Sequence, residues 1–152
     1  MNNKHNVKIH IMKCDVSIEN DVIEMLNEIR EKYQNIIGII HAAGVLQDGF
    51  IRGGKAILGC NSVWNSKAQS AFHLHKHTLT DNIKYFICYS SITSSLGNPG
   101  QSVYGASNAF LDYLMEYRVS NGLNGLSIQW PAIQGIGMAA SKHIDNDNIN
   151  DE

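Results

Sequence analysis

An α/β fold, a parallel sheet wrapped by helices, is the class this sequence predicts, and three observations carry it. Residues 36–41 (IIGIIH) and 84–89 (KYFICY) are short apolar runs without polar alternation, the pattern of strands buried on both faces. Stretches of helical periodicity lie beside them. The connections are short, so strands and helices alternate, and such units wind around a parallel sheet.

The elements follow in chain order. Residues 7–12 (VKIHIM) alternate and carry β-branched side chains, which predicts a strand. Cys14-Asp15-Val16-Ser17 turns the chain, and Ser17 is placed to cap a helix by accepting a free backbone N–H. Val22, Met25, Leu26 and Ile29 share one face of a helix over 18–32. The strand at 36–41 runs into the small residues Ala42, Ala43 and Gly44 and a glycine-bearing loop, 45–54. Val63, Lys67, Ala71, Leu74 and His75 fall on neighbouring turns of a helix over 60–78. After the strand at 84–89 comes a polar loop, 90–102, and then a helix over 103–120 with Phe110, Leu111, Leu114 and Met115 on one stripe. Asn121-Gly122 ends it, glycine suiting the left-handed position past a helix end. Residues 125–130 form the last strand. The polar, asparagine-rich stretch 141–152 is predicted to be disordered.

Composition narrows the function classes. A chain of 152 residues is the size of one domain and can bury roughly 70% of its unfolded surface. A net charge of −2 and a pI near 6.4 exclude a basic nucleic-acid binder. No apolar run reaches the roughly 18 residues of a membrane span. The three cysteines are widely spaced, without a CxxC pair, so reduced thiols and a cytoplasmic location are expected. The N-terminal MNNKHNVK lacks the apolar core of a signal peptide. His73, His75 and His77 read as ordinary helix-surface histidines, and no metal site is expected.

Ligands of parallel α/β sheets bind outside the carboxyl ends of the strands. The loops 42–54, 90–102 and 131–138 lie there. So does the main constellation: Ser91 after the third strand, Tyr104 opening the next helix, Asn108 one turn along the same face, and Lys67 from the preceding helix. A phenol alone is a poor acid at neutral pH, but a nearby ammonium favours its ionised form. A serine hydroxyl can hold a carbonyl oxygen beside the phenol. Together they can deliver a proton to a carbonyl under reduction, with Asn108 holding Lys67 or a water in a relay.

These residues sit in longer segments: CDVS (14–17), GIIHAAGVLQDG (38–49), SKAQSAFHLH (66–75), YSSITSSLGNPGQSVYGASNAFLDYL (89–114), GLNGLSIQW (122–130) and GIGMA (135–139). In them the chain resembles the ketoreductase domain of polyketide synthases and animal-type fatty acid synthases, a branch of the short-chain dehydrogenase/reductase superfamily. The resemblance covers about residues 7–140. It implies a Rossmann-like, doubly wound parallel sheet and a catalytic tetrad of Lys67, Ser91, Tyr104 and Asn108. In most of the superfamily a lysine stands where Asn108 is; the exchange is characteristic of the ketoreductase branch.

The resemblance further implies NADPH, with Asp15 and Val16 at the adenine and Ala42, Ala43 and Gly44 along a ribose. Lys67 and Tyr104 would lie beside the cofactor, with Gly135 and Met138 near the nicotinamide and the start of a substrate lid. The implied reaction reduces a β-ketoacyl thioester on an acyl carrier protein, among other domains of a multidomain synthase. Leu46-Gln47-Asp48 keeps the last Asp of one stereochemical subtype's loop, and Leu96 replaces the other subtype's Trp, which leans toward a D-hydroxy product.

The chain departs from the family in lacking the glycine-rich TGxxGxxG turn, which holds a pyrophosphate. It also lacks the basic residue selecting the 2′-phosphate. Gly53-Gly54-Lys55 has no Walker spacing, and Pro131 stands where the family often has glycine. The expectation is therefore a partial domain at 7–140, of about four strands and three main helices, lacking the first βαβ unit. In the strand order 3-2-1-4-5-6, residues 7–12 would lie two strand widths, roughly 10 Å, from residues 36–41. That strand must shift inward, or another polypeptide must fill the gap, or the chain is not self-sufficient. Two functions remain open: a reductase completed by a partner, and a non-catalytic remnant or interaction module.

Overall fold

The computed structural model describes residues 7–50 and 55–133. The elements run α1 (Glu19–Tyr33), β1 (Gly38–His41), α2 (Lys55–Trp64), a π-helical turn (Asn65–Gln69), α3 (Ser70–His77), β2 (Tyr85–Ser91), α4 (Thr93–Leu96), α5 (Ser102–Ser120) and β3 (Leu126–Trp130). The three strands form one parallel sheet in the order β1-β2-β3. Ile39 is opposite Phe86 and His41 opposite Cys88, while Ile87 is opposite Leu126 and Ser91 opposite Trp130. This is the predicted α/β class.

The core lies between one face of the sheet and the helices. Ile39, Phe86 and Cys88 from the strands meet Val22 and Leu26 of α1, Ala71 and Leu74 of α3, and Leu111, Leu114 and Met115 of α5. Arg118 is buried among them, its guanidinium 4.2 Å from the centre of the Phe86 ring. It donates to the Asn124 carbonyl and bonds His75 Nδ1, each at 2.8 Å. Gly122, at φ +75°, ends α5 as the sequence predicts.

Four expectations are corrected. Residues 7–12 belong to no strand, so the sheet has three strands. The reason is topological: the strands that would separate this segment from β1 are absent from the described sheet. Second, the strands are not buried on both faces. Ile40, Tyr85, Leu126 and Trp130 are exposed, because no described element packs on that side. Third, Ser17 does not cap α1. Asp15 accepts from both the Ser17 N–H at 3.0 Å and its hydroxyl at 2.7 Å, and Ile18 takes the cap position. Fourth, His73 and His75 are buried rather than on the surface, since α3 packs against α1 and the core. The predicted stretch 141–152 lies outside the described residues.

Candidate active site

The carboxyl ends of β1 and β2 and the start of α5 converge on Lys67. Its side chain is 3% exposed, which decides its state: it is enclosed rather than solvated. Nζ donates to the Tyr89 carbonyl at 2.7 Å and sits 5.7 Å from the centre of the Tyr104 ring. Burial lowers the Lys67 pKa to about 8, against a smaller opposing pull from Cys88 and Asp112. The amine therefore exchanges protons close to neutral pH.

Asn108 is fully buried on α5. Its Nδ2 donates to the Tyr104 carbonyl at 2.8 Å, and its backbone carbonyl accepts from the Ser90 hydroxyl at 3.2 Å. Its Oδ1 is buried with no hydrogen-bond partner among the described residues. Ser91 closes β2, its hydroxyl accepting from the Thr93 N–H at 3.3 Å. Ser91 thus ends the strand beside which Lys67, Tyr104 and Asn108 gather, Lys67 and Asn108 each meeting Tyr104.

The loop after β1 is fastened on both sides. Val45 N–H donates to Ser66 Oγ at 3.1 Å. Gly49 N–H donates to the Gly100 carbonyl at 2.9 Å, and Gln101 Nε2 reaches both Asp48 oxygens at 3.2 Å. Asp48 therefore ties this loop to the segment leading into Tyr104.

Ala42, Ala43 and Gly44 follow the end of β1 with side chains no larger than methyl. A Cβ on Gly44 would stand 3.3 Å from Lys67 Cε, so the loop lies against the lysine stem. Asp15 is exposed and held below the usual carboxylate range by its hydrogen bonds from Ser17. The Val16 carbonyl faces His73 Nδ1 at 3.4 Å. Gly135 and Met138 lie outside the described residues. His73 also meets Gln69 Nε2 at 2.9 Å, and His77 meets Glu19 at 2.7 Å. Among the described residues no three His, Cys, Asp or Glu side chains group as a metal site, and no helix is long and apolar enough to cross a membrane.

Sequence reasoning missed the π-helical turn that carries Lys67 and the part played by His41. A signal for the second was present: a histidine closing an apolar strand is a polar group that must find a partner.

The KR domain family matches residues 1–135. The chalcone synthase cfoA of Aspergillus candidus is 38% identical over 142 residues, which are 92% of this chain and 5% of that protein. The phenolphthiocerol synthesis polyketide synthase Pks15/1 of Mycobacterium marinum is 38% identical over 133 residues, 87% of this chain and 6% of that one. A solved ketoreductase domain from the bacillaene assembly line superposes with a TM-score of 0.77 at 32% identity, over 90% of this chain and 35% of its own. An A-type ketoreductase from a modular polyketide synthase gives 0.79 at 28%, over 94% and 30%. The fold alone is shared with ElxO, solved with NADP bound, at 22% identity and a TM-score of 0.79, over 93% of this chain and 60% of that one. The chain therefore spans about one-third of the solved ketoreductase chains and a small part of the synthases. With the family match, the relatives and the parallel sheet in agreement, the chain belongs to the ketoreductase domain family of polyketide synthases.

Proposed function

We propose that this chain carries the proton-delivering part of an NADPH-dependent ketoreductase. The substrate is a β-ketoacyl thioester on an acyl carrier protein, and the setting is a multidomain synthase in the cytoplasm. The observation that carries the reading is Lys67: a buried amine 5.7 Å from the centre of the Tyr104 ring.

Bound NADPH supplies a hydride to the β-carbon. Tyr104 gives its phenolic proton to the carbonyl oxygen, and Ser91 holds that oxygen. Lys67 stabilises the resulting phenolate. Asn108 Oδ1 accepts from a water that carries a replacement proton inward. Asp15 and Val16 would hold the adenine and Ala42, Ala43 and Gly44 would leave room for a ribose, with Gly135 and Met138, which lie outside the described residues, assigned to the nicotinamide by the family resemblance.

The test is NADPH consumption with a β-ketoacyl thioester surrogate, at high protein concentration. General acids contribute about 10²–10⁴-fold, so Tyr104→Phe lowers turnover by that factor while the Asn108 bond to the residue 104 carbonyl keeps the helix intact. No turnover in a folded wild-type sample, or undiminished turnover in the variant, contradicts the reading.

The open sheet face favours a second reading, a non-catalytic module that pairs with another polypeptide. That reading predicts no NADPH binding by calorimetry, and tight binding by the purified chain overturns it.

A further inference from the structure

The helical stretch from Lys55 to His77 does not run as one regular helix. At Asn65–Gln69 it widens into a π-helical turn, where the Ser70 N–H reaches back to the Asn65 carbonyl. Lys67 sits in the middle of this turn. A widened turn loosens the regular i→i−4 ladder, and the carbonyls it frees need other donors. Two side chains supply them. Ser70 Oγ donates to the Ser66 carbonyl at 2.7 Å and lies 3.1 Å from the Lys67 carbonyl, which the Ser70 N–H also reaches. His41 Nε2 lies 3.0 Å from the Lys67 carbonyl and 3.2 Å from Ser70 Oγ. A carbonyl can only accept, so the His41 ring carries its proton on Nε2.

His41 is 3% exposed at the end of β1. The loop it opens touches the same turn twice more, at Val45 N–H to Ser66 Oγ and at Gly44 against the Lys67 stem. Three consecutive contacts from one strand end therefore converge on one helical turn.

We infer that His41 is a positioning residue: by donating Nε2–H to the Lys67 carbonyl it holds the π-helical turn open and aims Lys67 at Tyr104. Its importance for turnover rests on the ketoreductase reading above, whereas the positioning itself does not. Without His41 the Lys67 carbonyl keeps only the contacts from Ser70, made within the helix itself; the tie from β1 is gone, the turn relaxes toward regular α-helix, and the lysine leaves its buried bond to the Tyr89 carbonyl.

The experiment uses the isolated chain and NMR, with no substrate. In the wild type, ¹⁵N shifts of the His41 ring are expected to show the proton on Nε2, slow to exchange. Lys67, followed by its ¹³Cε shift, titrates near 8. In His41→Leu that midpoint moves up by about two units, toward an ordinary lysine. In His41→Gln, whose amide can still donate to the carbonyl, it stays within about half a unit of the wild type. An unprotonated Nε2 in the wild type overturns the inference. So does an unmoved Lys67 in folded His41→Leu, or a displaced Lys67 in His41→Gln. If His41→Leu does not fold, the wild-type tautomer and His41→Gln decide. Absence of turnover would fault the ketoreductase reading and leave these outcomes standing.

Discussion

Two buried basic side chains show how single residues set the behaviour of this core. Arg118 stays charged by stacking on Phe86 and donating to a carbonyl and to His75. Accepting that bond keeps His75 neutral, and burial and then the Arg118 charge push its pKa down. His41 is pulled lower, to about 4, first by burial and then by the Lys67 charge, against the bond to the Lys67 carbonyl. An unfolded histidine titrates near 6.5, so acid favours the unfolded chain. The His41 contribution is whole above about pH 6.5 and is lost as pH falls to 4, up to about 3 kcal/mol. Denaturant unfolding from pH 7 to 4 should show this slope, and His41→Gln should flatten it; equal slopes contradict the assignment. That Tyr104 and Asn108 share a helical face was legible at this scale, because residues four apart lie on neighbouring turns. The Ser17 cap was not, since Asp15 competes for the same turn and nothing in the spacing ranks the two.

At the scale of elements, positions written into local chemistry were legible and those set by tertiary contact were not. The end of α5 is local: Gly122 takes φ +75° with nothing within 4 Å of its missing Cβ. Gly122→Ala therefore meets no clash, only backbone strain, and should lower stability by about 1–2 kcal/mol in thermal melts. An unchanged melting temperature contradicts the left-handed assignment. The π-helical turn is the opposite case. NSKAQ has no residue type that widens a helix; its stabilising donors, His41 and Ser70, come from a distant strand and from the next turn. The strand read at 7–12 failed for a related reason. Its alternation is present, with Val7, Ile9 and Ile11 facing outward, but a strand exists only where a neighbouring strand pairs with it.

For the whole molecule, the parallel sheet and its order of helices followed from alternation, while its one-sidedness did not, because burial on a second face depends on polypeptide that the apolar runs cannot name. Ile40, Tyr85, Tyr89, Leu126 and Trp130 stand open on that face, and parallel sheets are ordinarily covered on both sides. An environment-sensitive apolar dye should bind the purified chain, and Ile40→Gln combined with Leu126→Gln should reduce that binding without loss of helical signal. Equal dye binding by the variant contradicts an open face. On the proposed function, this one-sided sheet places Lys67, Ser91, Tyr104 and Asn108 for carbonyl reduction. The most direct measurement is mass spectrometry of a β-ketoacyl thioester surrogate incubated with the chain and NADPH deuterated at the transferring carbon. The expected product is a β-hydroxyacyl thioester with deuterium on the β-carbon, made by the wild type and formed far less by Tyr104→Phe. Recovery of unreduced ketoacyl thioester from a folded wild-type sample would contradict it.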